Sequence, residues 1–232
     1  MIDICVIPAR GGSKRIPKKN IKNFHGKPII FWSIEEAIKC NCFKKIIVST
    51  DSQEIADLVK IYDVEVPFLR PKNISDDLTQ TIPVVEHTIR HQIKNNIDIR
   101  NVCCIYPTAP FVRATDLQLG LEKLGSSNVN FVFSATEYDF PIQRAFKINQ
   151  KKKLEMFQPQ FASSRSQDLE KAYHDAGQFY WGAANTWLEE DTLLSNNSIP
   201  LIIPNYRVND IDTIEDWKRA EIMFNYINKY SF

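Results

Sequence analysis

The chain has 232 residues, of which 44% are hydrophobic and 25% charged, the composition of a folded globular protein rather than a disordered one. Its 29 Lys and Arg against 28 Asp and Glu leave a net charge of +1, so we expect neither nucleic acid nor a membrane surface as a partner. No apolar run approaches the roughly 18 residues that span a bilayer. With five cysteines, an odd number, a reducing cytoplasmic location is expected, and no cysteine metal site is expected.

Short runs rich in Ile, Val and Phe alternate with amphipathic stretches along the chain. The apolar runs are nearly continuous, which is typical of strands buried on both faces of a sheet. They predict strands at residues 2–7, 46–49, 102–106, 129–134 and 201–203. Because helical patterns separate them, the sequence predicts an α/β fold with a mostly parallel, Rossmann-like sheet and helices on both sides.

Helix starts are predicted where a small polar residue precedes a Glu or Gln by three positions, since the two side chains can satisfy free backbone N–H groups. Three such pairs begin at Ser33, Asp51 and Thr115. A further helix is predicted from Thr213 to about residue 228, with acidic residues in its first turn.

The stretch from about 141 to 176 breaks the alternation of strands and helices. It contains a polar segment at 143–154 and then the run FQPQFASSRSQDLEKAYHD. We expect an inserted arm that leaves the main sheet and contributes to a homodimer, within a single domain covering residues 1–232.

The loop IPARGGSKRIPKKN, residues 7–20, follows the first predicted strand directly. Ligands of open α/β sheets bind beyond the carboxyl ends of strands. Gly11 and Gly12 allow a close backbone approach and could point amide groups at an anion. Five cations crowd the loop: Arg10, Lys14, Arg15, Lys18 and Lys19. The spacing matches neither the P-loop nor the dinucleotide fingerprint, so the loop predicts a different phosphate-binding site.

The pattern R-G-G-S-K-x-x-x-x-K-N, from Arg10 to Asn20, is followed by three more motifs in order. They are RP with SDD at 70–77, YPTAP at 106–110 and DIDT at 210–213. Together they resemble the cytidylyltransferases that activate nonulosonic acids as CMP-sugars. The resemblance implies a fold of the nucleotide-diphospho-sugar transferase type, CTP and a nine-carbon acid sugar as substrates, and Mg²⁺ as cofactor.

The resemblance also implies residue roles. The nucleotide-binding positions are Ala9, Arg10, Gly11, Gly12, Ser13, Lys14, Lys19, Asn20, Arg70, Asp77 and Thr81. The catalytic positions are Arg10, Lys14, Lys19 and Asp212. The sugar-binding positions are Tyr106, Arg165, Gln167, Tyr173, Gln178 and Tyr180.

Asp210 and Asp212 match the acidic metal ligands of that family. In an extended segment, residues two apart face the same side, and two carboxylates plus phosphate oxygens suit Mg²⁺. The alternative is that Asp212 only caps the helix that follows it. The histidines, including the pair His87 and His91, are expected to serve packing or the surface, because no metalloprotease pattern surrounds them.

Two departures from the family bear on the sugar. Sialic acid enzymes commonly carry Gln where this chain has Tyr106, and an aliphatic pair where it has Gln178 and Phe179. These changes favour a different C9 acid, with N-acetylneuraminic and legionaminic acid as alternatives and Kdo more distant. A nucleotide-binding regulatory protein that has lost the chemistry is the alternative of another class.

Overall fold

The computed structural model describes residues 1–126 and 128–230. The strands are β1 Ile2–Pro8, β2 Asn23–Phe24, β3 Lys27–Pro28, β4 Lys45–Ser49, β5 Ile99–Ile105, β6 Phe131–Glu137, β7 Phe146–Ile148, β8 Leu154–Met156, β9 Tyr173–Ala183 and β10 Ser198–Ile202. The helices are α1 Ile29–Lys39, α2 Gln53–Leu58, α3 Thr81–Lys94, α4 Ala114–Ser126, α5 Ala184–Glu189 and α6 Ile214–Tyr230. All five predicted strands form, with ends shifted by at most three residues.

Six strands form the central sheet in the order β10-β6-β9-β5-β1-β4. β1 pairs parallel with β4 and β5, and β10 pairs parallel with β6. Only β9 among these strands runs the other way, antiparallel to both β5 and β6. The predicted mostly parallel α/β fold is therefore confirmed, with one reversed strand at its centre.

The sheet is buried on both faces, as the continuous apolar runs predict. Successive residues of β1 point to opposite sides: Cys5 and Ile7 pack in a core with α1 and α4, while Ile4 and Val6 pack in a second core with α3 and α5. A third cluster joins α6 to the β2–β3 ribbon, through Phe24 and residues such as Trp217 and Phe224.

Three of the predicted helix starts are wrong in position. α1 begins four residues before Ser33, because Pro28 precedes an apolar segment that continues the helical pattern. α2 is capped by Ser52, whose hydroxyl accepts from Ile55 N, and not by Asp51. Thr115 lies inside α4, which begins at Ala114.

The start of α6, which the sequence predicts at Thr213, is a capping box. Asp216 N donates to Thr213 Oγ1 at 3.2 Å, and Thr213 N donates to Asp216 Oδ2 at 2.9 Å. Thr213 therefore caps this helix. Asp212 is left outside the cap, with its carboxylate available for other contacts.

Between β6 and β9 the chain leaves the central sheet. β7 and β8 pair only with each other in a small antiparallel hairpin. Apolar side chains of this segment are exposed, among them Phe140, Phe146, Ile148, Leu154 and Phe157. The segment from 138 to 172 is called the arm below.

No helix within residues 1–126 and 128–230 has both the length and the apolar character needed to cross a bilayer.

Candidate active site

The site lies at the carboxyl ends of β1 and β5. In the sheet, β1 has β4 as its neighbour on one side and β5 on the other, so the strand order reverses at β1. Such a reversal of strand order opens a crevice in an α/β sheet. A first cavity of about 310 Å³ opens here. The predicted nucleotide-binding residues that line it are Arg10, Ser13, Lys19, Asn20, Arg70, Asp77 and Thr81.

The loop after β1 is held in place by its neighbours. Ala9 is buried and its amide donates to Ser49 O at 2.9 Å, while the amide of Gly11 donates to Asp51 Oδ1 at 2.8 Å. A Cβ at Gly11 would lie 2.8 Å from Ser52 Cβ, whereas one at Gly12 would meet nothing within 4 Å. Gly11 is therefore required by close packing, and its amide is committed to Asp51 rather than directed at an anion.

Lys19 connects this loop to the late aspartate segment. Its ammonium donates to Ile211 O at 2.6 Å and to Asp212 Oδ1 at 3.3 Å, and its side chain is only 19% exposed. Arg15 adds a second link, because its Nη2 donates to Asp212 Oδ1 at 2.8 Å. Two regions almost 200 residues apart in sequence thus meet at one edge of the first cavity.

Asp77 faces the loop from the other side. Its two carboxylate oxygens accept from Lys14 and from Arg10. These two contacts, first that of Lys14 and then that of Arg10, hold the pKa of Asp77 below its usual value. Lys14 is exposed at the rim, while Asn20 is buried and donates to Arg10 O at 2.9 Å.

Asp210 and Asp212 lie close enough to interact electrostatically. Asp210 is exposed, yet the surrounding protein partly desolvates it, and together with the Asp212 carboxylate this raises its pKa; Lys19 opposes the shift. Two neighbouring carboxylates, one of which has a raised pKa, form a donor set whose mutual repulsion a divalent cation would relieve. Within the part of the chain that the structure describes, no third His, Cys, Asp or Glu completes a cluster with them.

Arg70 and Thr81 also line the first cavity. Arg70 is 5% exposed, its Nε donates to Ser75 Oγ at 3.1 Å, and burial lowers its pKa. Thr81 is the first residue of α3, and its hydroxyl is 2.6 Å from that of Tyr106.

A second cavity, of about 590 Å³, adjoins the first and shares Tyr106 and Thr108 with it. Its lining includes Tyr180, Asp175 and Asp210. Burial raises the pKa of Tyr106 to about 12 and raises that of Tyr180 further. Of the six predicted sugar-binding residues, Tyr106 and Tyr180 are brought together here.

The other four predicted sugar residues lie elsewhere in this chain. Gln178 is 3% exposed and its amide donates to Arg207 O at 2.6 Å, and it is not part of the lining of the second cavity. Tyr173 is 46% exposed at the start of β9. Arg165 and Gln167 are exposed on the arm.

The sequence reasoning missed Asp51 and Asp175. Asp51 follows β4 and fixes the amide of Gly11; its position after a buried strand was the available signal. Asp175 lies within β9 and accepts from Tyr180 OH at 2.5 Å and from Gly177 N at 2.8 Å. Nothing in its sequence neighbourhood distinguishes it.

Comparison with known proteins gives consistent matches. The cytidylyltransferase family model matches residues 4–201. The chain is 43% identical over 232 residues to "Pseudaminic acid cytidylyltransferase" of Campylobacter jejuni subsp. jejuni serotype O:2, covering 100% of both chains. It is 29% identical over 222 residues to "CMP-N,N'-diacetyllegionaminic acid synthase" of Legionella pneumophila subsp. pneumophila, covering 94% of both.

A solved structure of CMP:2-keto-3-deoxy-manno-octonic acid synthetase complexed with CTP superposes with a TM-score of 0.70. Its identity to this chain is 14%, and the match covers 97% of this chain and 98% of that one. This likeness establishes a shared fold.

Proposed function

Since the chain belongs to the cytidylyltransferase family, we propose that it transfers CMP from CTP to the anomeric hydroxyl of pseudaminic acid, releasing pyrophosphate. It is a nucleotidyltransferase. The choice of sugar rests on the relative from Campylobacter, which bears that name and is similar over its full length. The segments RPKNISDDLTQT, CCIYPTAPF and GQFYWG also favour this branch of the family.

The observation that carries the proposal is the contact of Lys19 with Ile211 O and Asp212. It joins a cationic loop, suited to phosphates, to a carboxylate pair, suited to a divalent cation. Phosphoryl chemistry needs both kinds of group around one triphosphate. No side-chain nucleophile is required, because positioning and electrostatic stabilisation supply the acceleration.

In this proposal the triphosphate lies along the loop after β1. Arg10, Ser13 and Lys19 line the first cavity and bind phosphate oxygens there, and Lys14 adds a cation at the rim. A nucleotide phosphate would compete with Asp77 for Arg10 and Lys14. Asn20, fixed by its bond to Arg10 O, is assigned to the ribose side.

Mg²⁺ is the proposed cofactor, with Asp210 and Asp212 as the residues that hold it. The elevated pKa of Asp210, caused by partial desolvation and then by Asp212, fits a pair of carboxylates arranged for a hard cation. When bound, a divalent cation there supplies charge neutralisation for the triphosphate. Asp212 also keeps Lys19 directed at the same place through their hydrogen bond.

The reaction forms a bond between the anomeric oxygen and the α-phosphorus. It breaks the bond from that phosphorus to the α,β-bridging oxygen of CTP, which leaves as a terminal oxygen of pyrophosphate. The proton of the anomeric hydroxyl passes to solvent water. Lys19 and Arg10 stabilise the charge that develops on the phosphate oxygens. The second cavity, which adjoins the first at Tyr106, is the proposed place of the sugar.

We also propose that the chain acts as a homodimer through the arm. The arm exposes apolar side chains to solvent, with Phe140 81% exposed and Phe157 63% exposed. Contiguous exposed apolar surface of this kind is typical of protein–protein interfaces. A dimer would bury these side chains and would bring Arg165 and Gln167, both on the arm, to a partner's second cavity. Light scattering should give twice the monomer mass, and Phe157→Asp should shift the protein towards the monomer; a monomeric wild type would contradict the proposal.

The sugar is tested by parallel reactions. The wild-type chain is incubated with CTP, Mg²⁺ and one acid at a time: pseudaminic, N,N'-diacetyllegionaminic, N-acetylneuraminic or 2-keto-3-deoxy-manno-octonic acid. We expect pyrophosphate release to be fastest with pseudaminic acid and to fall by orders of magnitude in Asp212→Ala and Lys14→Ala. Faster release with another acid would reassign the sugar, and release with none would reject the function.

A further inference from the structure

A chain of four polar side chains, two hydrogen-bonded pairs that meet at their tyrosines, lines the boundary between the two cavities. Thr81 Oγ1 is 2.6 Å from Tyr106 OH, and Tyr180 OH donates to Asp175 Oδ2 at 2.5 Å. The two tyrosine rings lie side by side with centroids 5.4 Å apart, close enough for each phenol to influence the pKa of the other. The chain therefore runs from Asp175 in the second cavity to Thr81 in the first.

Asp175 is rigidly placed at one end. Its Oδ1 accepts from the amide of Gly177 at 2.8 Å, which leaves Oδ2 for Tyr180. Gly177 has a φ of +61°, and the pairing of β9 with β6 shifts register at this point. The irregularity puts Asp175 and Tyr180, five positions apart, on the same side, which a regular strand would not do.

The carboxylate fixes the direction of every proton in the chain. An ionised carboxylate only accepts, so the Tyr180 proton points to Asp175. The Tyr106 proton is then directed to the Tyr180 oxygen, and the Thr81 proton to the Tyr106 oxygen. Burial of both phenols raises their pKa values, so each keeps its proton at neutral pH.

As a result, Thr81 has only lone pairs left to offer to the first cavity. The proposed function gives the loop after β1 to the triphosphate and Asn20 to the ribose side, which leaves the part of the first cavity lined by Arg70 and Thr81 for the base. Cytosine carries a 4-amino donor where uracil carries a carbonyl acceptor. A hydroxyl that can only accept a hydrogen bond favours cytosine, whose 4-amino group donates one. It disfavours uracil, because two acceptors would then face each other and leaving a polar group without a partner in a buried site costs free energy.

We propose that Asp175 is a positioning residue for nucleotide choice: through Tyr180 and Tyr106 it orients the Thr81 hydroxyl so that the site accepts CTP and rejects UTP. This inference rests on the proposed function. It assigns discrimination between bases to a carboxylate in the neighbouring cavity that does not itself contact the base.

Asp175→Asn tests the inference sharply. The backbone amide of Gly177 still needs an acceptor, so the Asn oxygen faces Gly177 and its NH₂ faces Tyr180. The NH₂ donates to the Tyr180 oxygen, and the proton order of the whole chain reverses. Thr81 then offers its proton to the cavity, which favours the uracil carbonyl.

The measurement is the ratio of kcat/KM for CTP to that for UTP, obtained from pyrophosphate release with pseudaminic acid. We expect the ratio to fall by on the order of tenfold or more in Asp175→Asn. Tyr180→Phe interrupts the chain and should also lower the ratio. Asp191→Asn removes a carboxylate that lines a cavity together with Tyr106 and Tyr180 but does not belong to the chain of four polar side chains. It should leave the ratio of kcat/KM values unchanged.

The outcomes separate the inference from the function on which it rests. If Asp175→Asn and Tyr180→Phe both transfer CMP with the wild-type ratio, the inference is overturned although the proposed function stands. If the wild type itself fails to release pyrophosphate from CTP, the proposed function fails instead. Circular dichroism of each variant, with Tyr180→Phe as the second probe, keeps the test valid should Asp175→Asn not fold.

Discussion

Replacing Lys19 with Met removes the cation that joins the loop after β1 to the aspartate segment while keeping a side chain of similar length. The ammonium makes two hydrogen bonds, to Ile211 O at 2.6 Å and to Asp212 Oδ1 at 3.3 Å. Hydrogen bonds of charged groups contribute about 1.5–3 kcal/mol when buried. Because the Lys19 side chain is 19% exposed, solvent screening lowers the expected loss of unfolding free energy to about 1–2 kcal/mol.

That loss corresponds to a decrease in Tm of roughly 2–8 °C for a chain of this size. Turnover should suffer far more than stability, because the same ammonium is proposed to stabilise charge on the phosphates. Removal of one such group costs on the order of 10²–10³ in kcat. The assay is pyrophosphate release from CTP and pseudaminic acid, paired with thermal unfolding of the same samples.

Lys18→Met is the matched control, one residue away in the same loop. Lys18 pairs with Glu54 on the surface, where the two side chains are 63% and 56% exposed. We expect nearly wild-type turnover from it, because exposed ion pairs contribute little. Equal turnover of Lys18→Met and Lys19→Met would refute the argument that Lys19 binds the triphosphate.

Two further predictions concern stability. Gly11→Ala should lower the Tm and Gly12→Ala should not, because a Cβ at Gly11 would lie 2.8 Å from Ser52 Cβ whereas one at Gly12 meets nothing; equal melting of the two would contradict the packing argument. Asp210→Asn should stabilise the ligand-free protein at pH 7. Because the pKa of Asp210 is raised in the folded protein, ionisation of this carboxyl lowers the unfolding free energy as the pH rises through that pKa. In acid the carboxyl is already neutral, so Asp210→Asn should no longer stabilise the protein there. A gain that is independent of pH, in unfolding measured at pH 7 and pH 3.5, would contradict it.

Much of the fold was predictable because its strands are continuous apolar runs. β1 and β4 read directly as buried strands, and the loop after β1 was recognisable from Gly11 and its surrounding cations. The meeting of this loop with Asp212 could be expected from the motifs, since ligands collect at the carboxyl ends of parallel strands.

Other features depend on tertiary contacts that local patterns do not encode. The register shift near Gly177 brings Asp175 to Tyr180, and alternation along a regular strand would have placed them on opposite faces. Helix starts at Ser33 and Thr115 were misplaced because a polar pair resembling a cap also occurs inside helices whose apolar pattern begins earlier. The burial of the Gln178 side chain likewise depends on a distant segment, because its amide donates to Arg207 O.

The most direct test of the central claim is a crystal structure of this chain with CTP and Mg²⁺. The account predicts that the triphosphate lies within hydrogen-bonding distance of Arg10 and Lys19, with the metal on Asp210 and Asp212 and the base beside Thr81. A nucleotide bound away from the junction of Lys19 and Asp212 would contradict it.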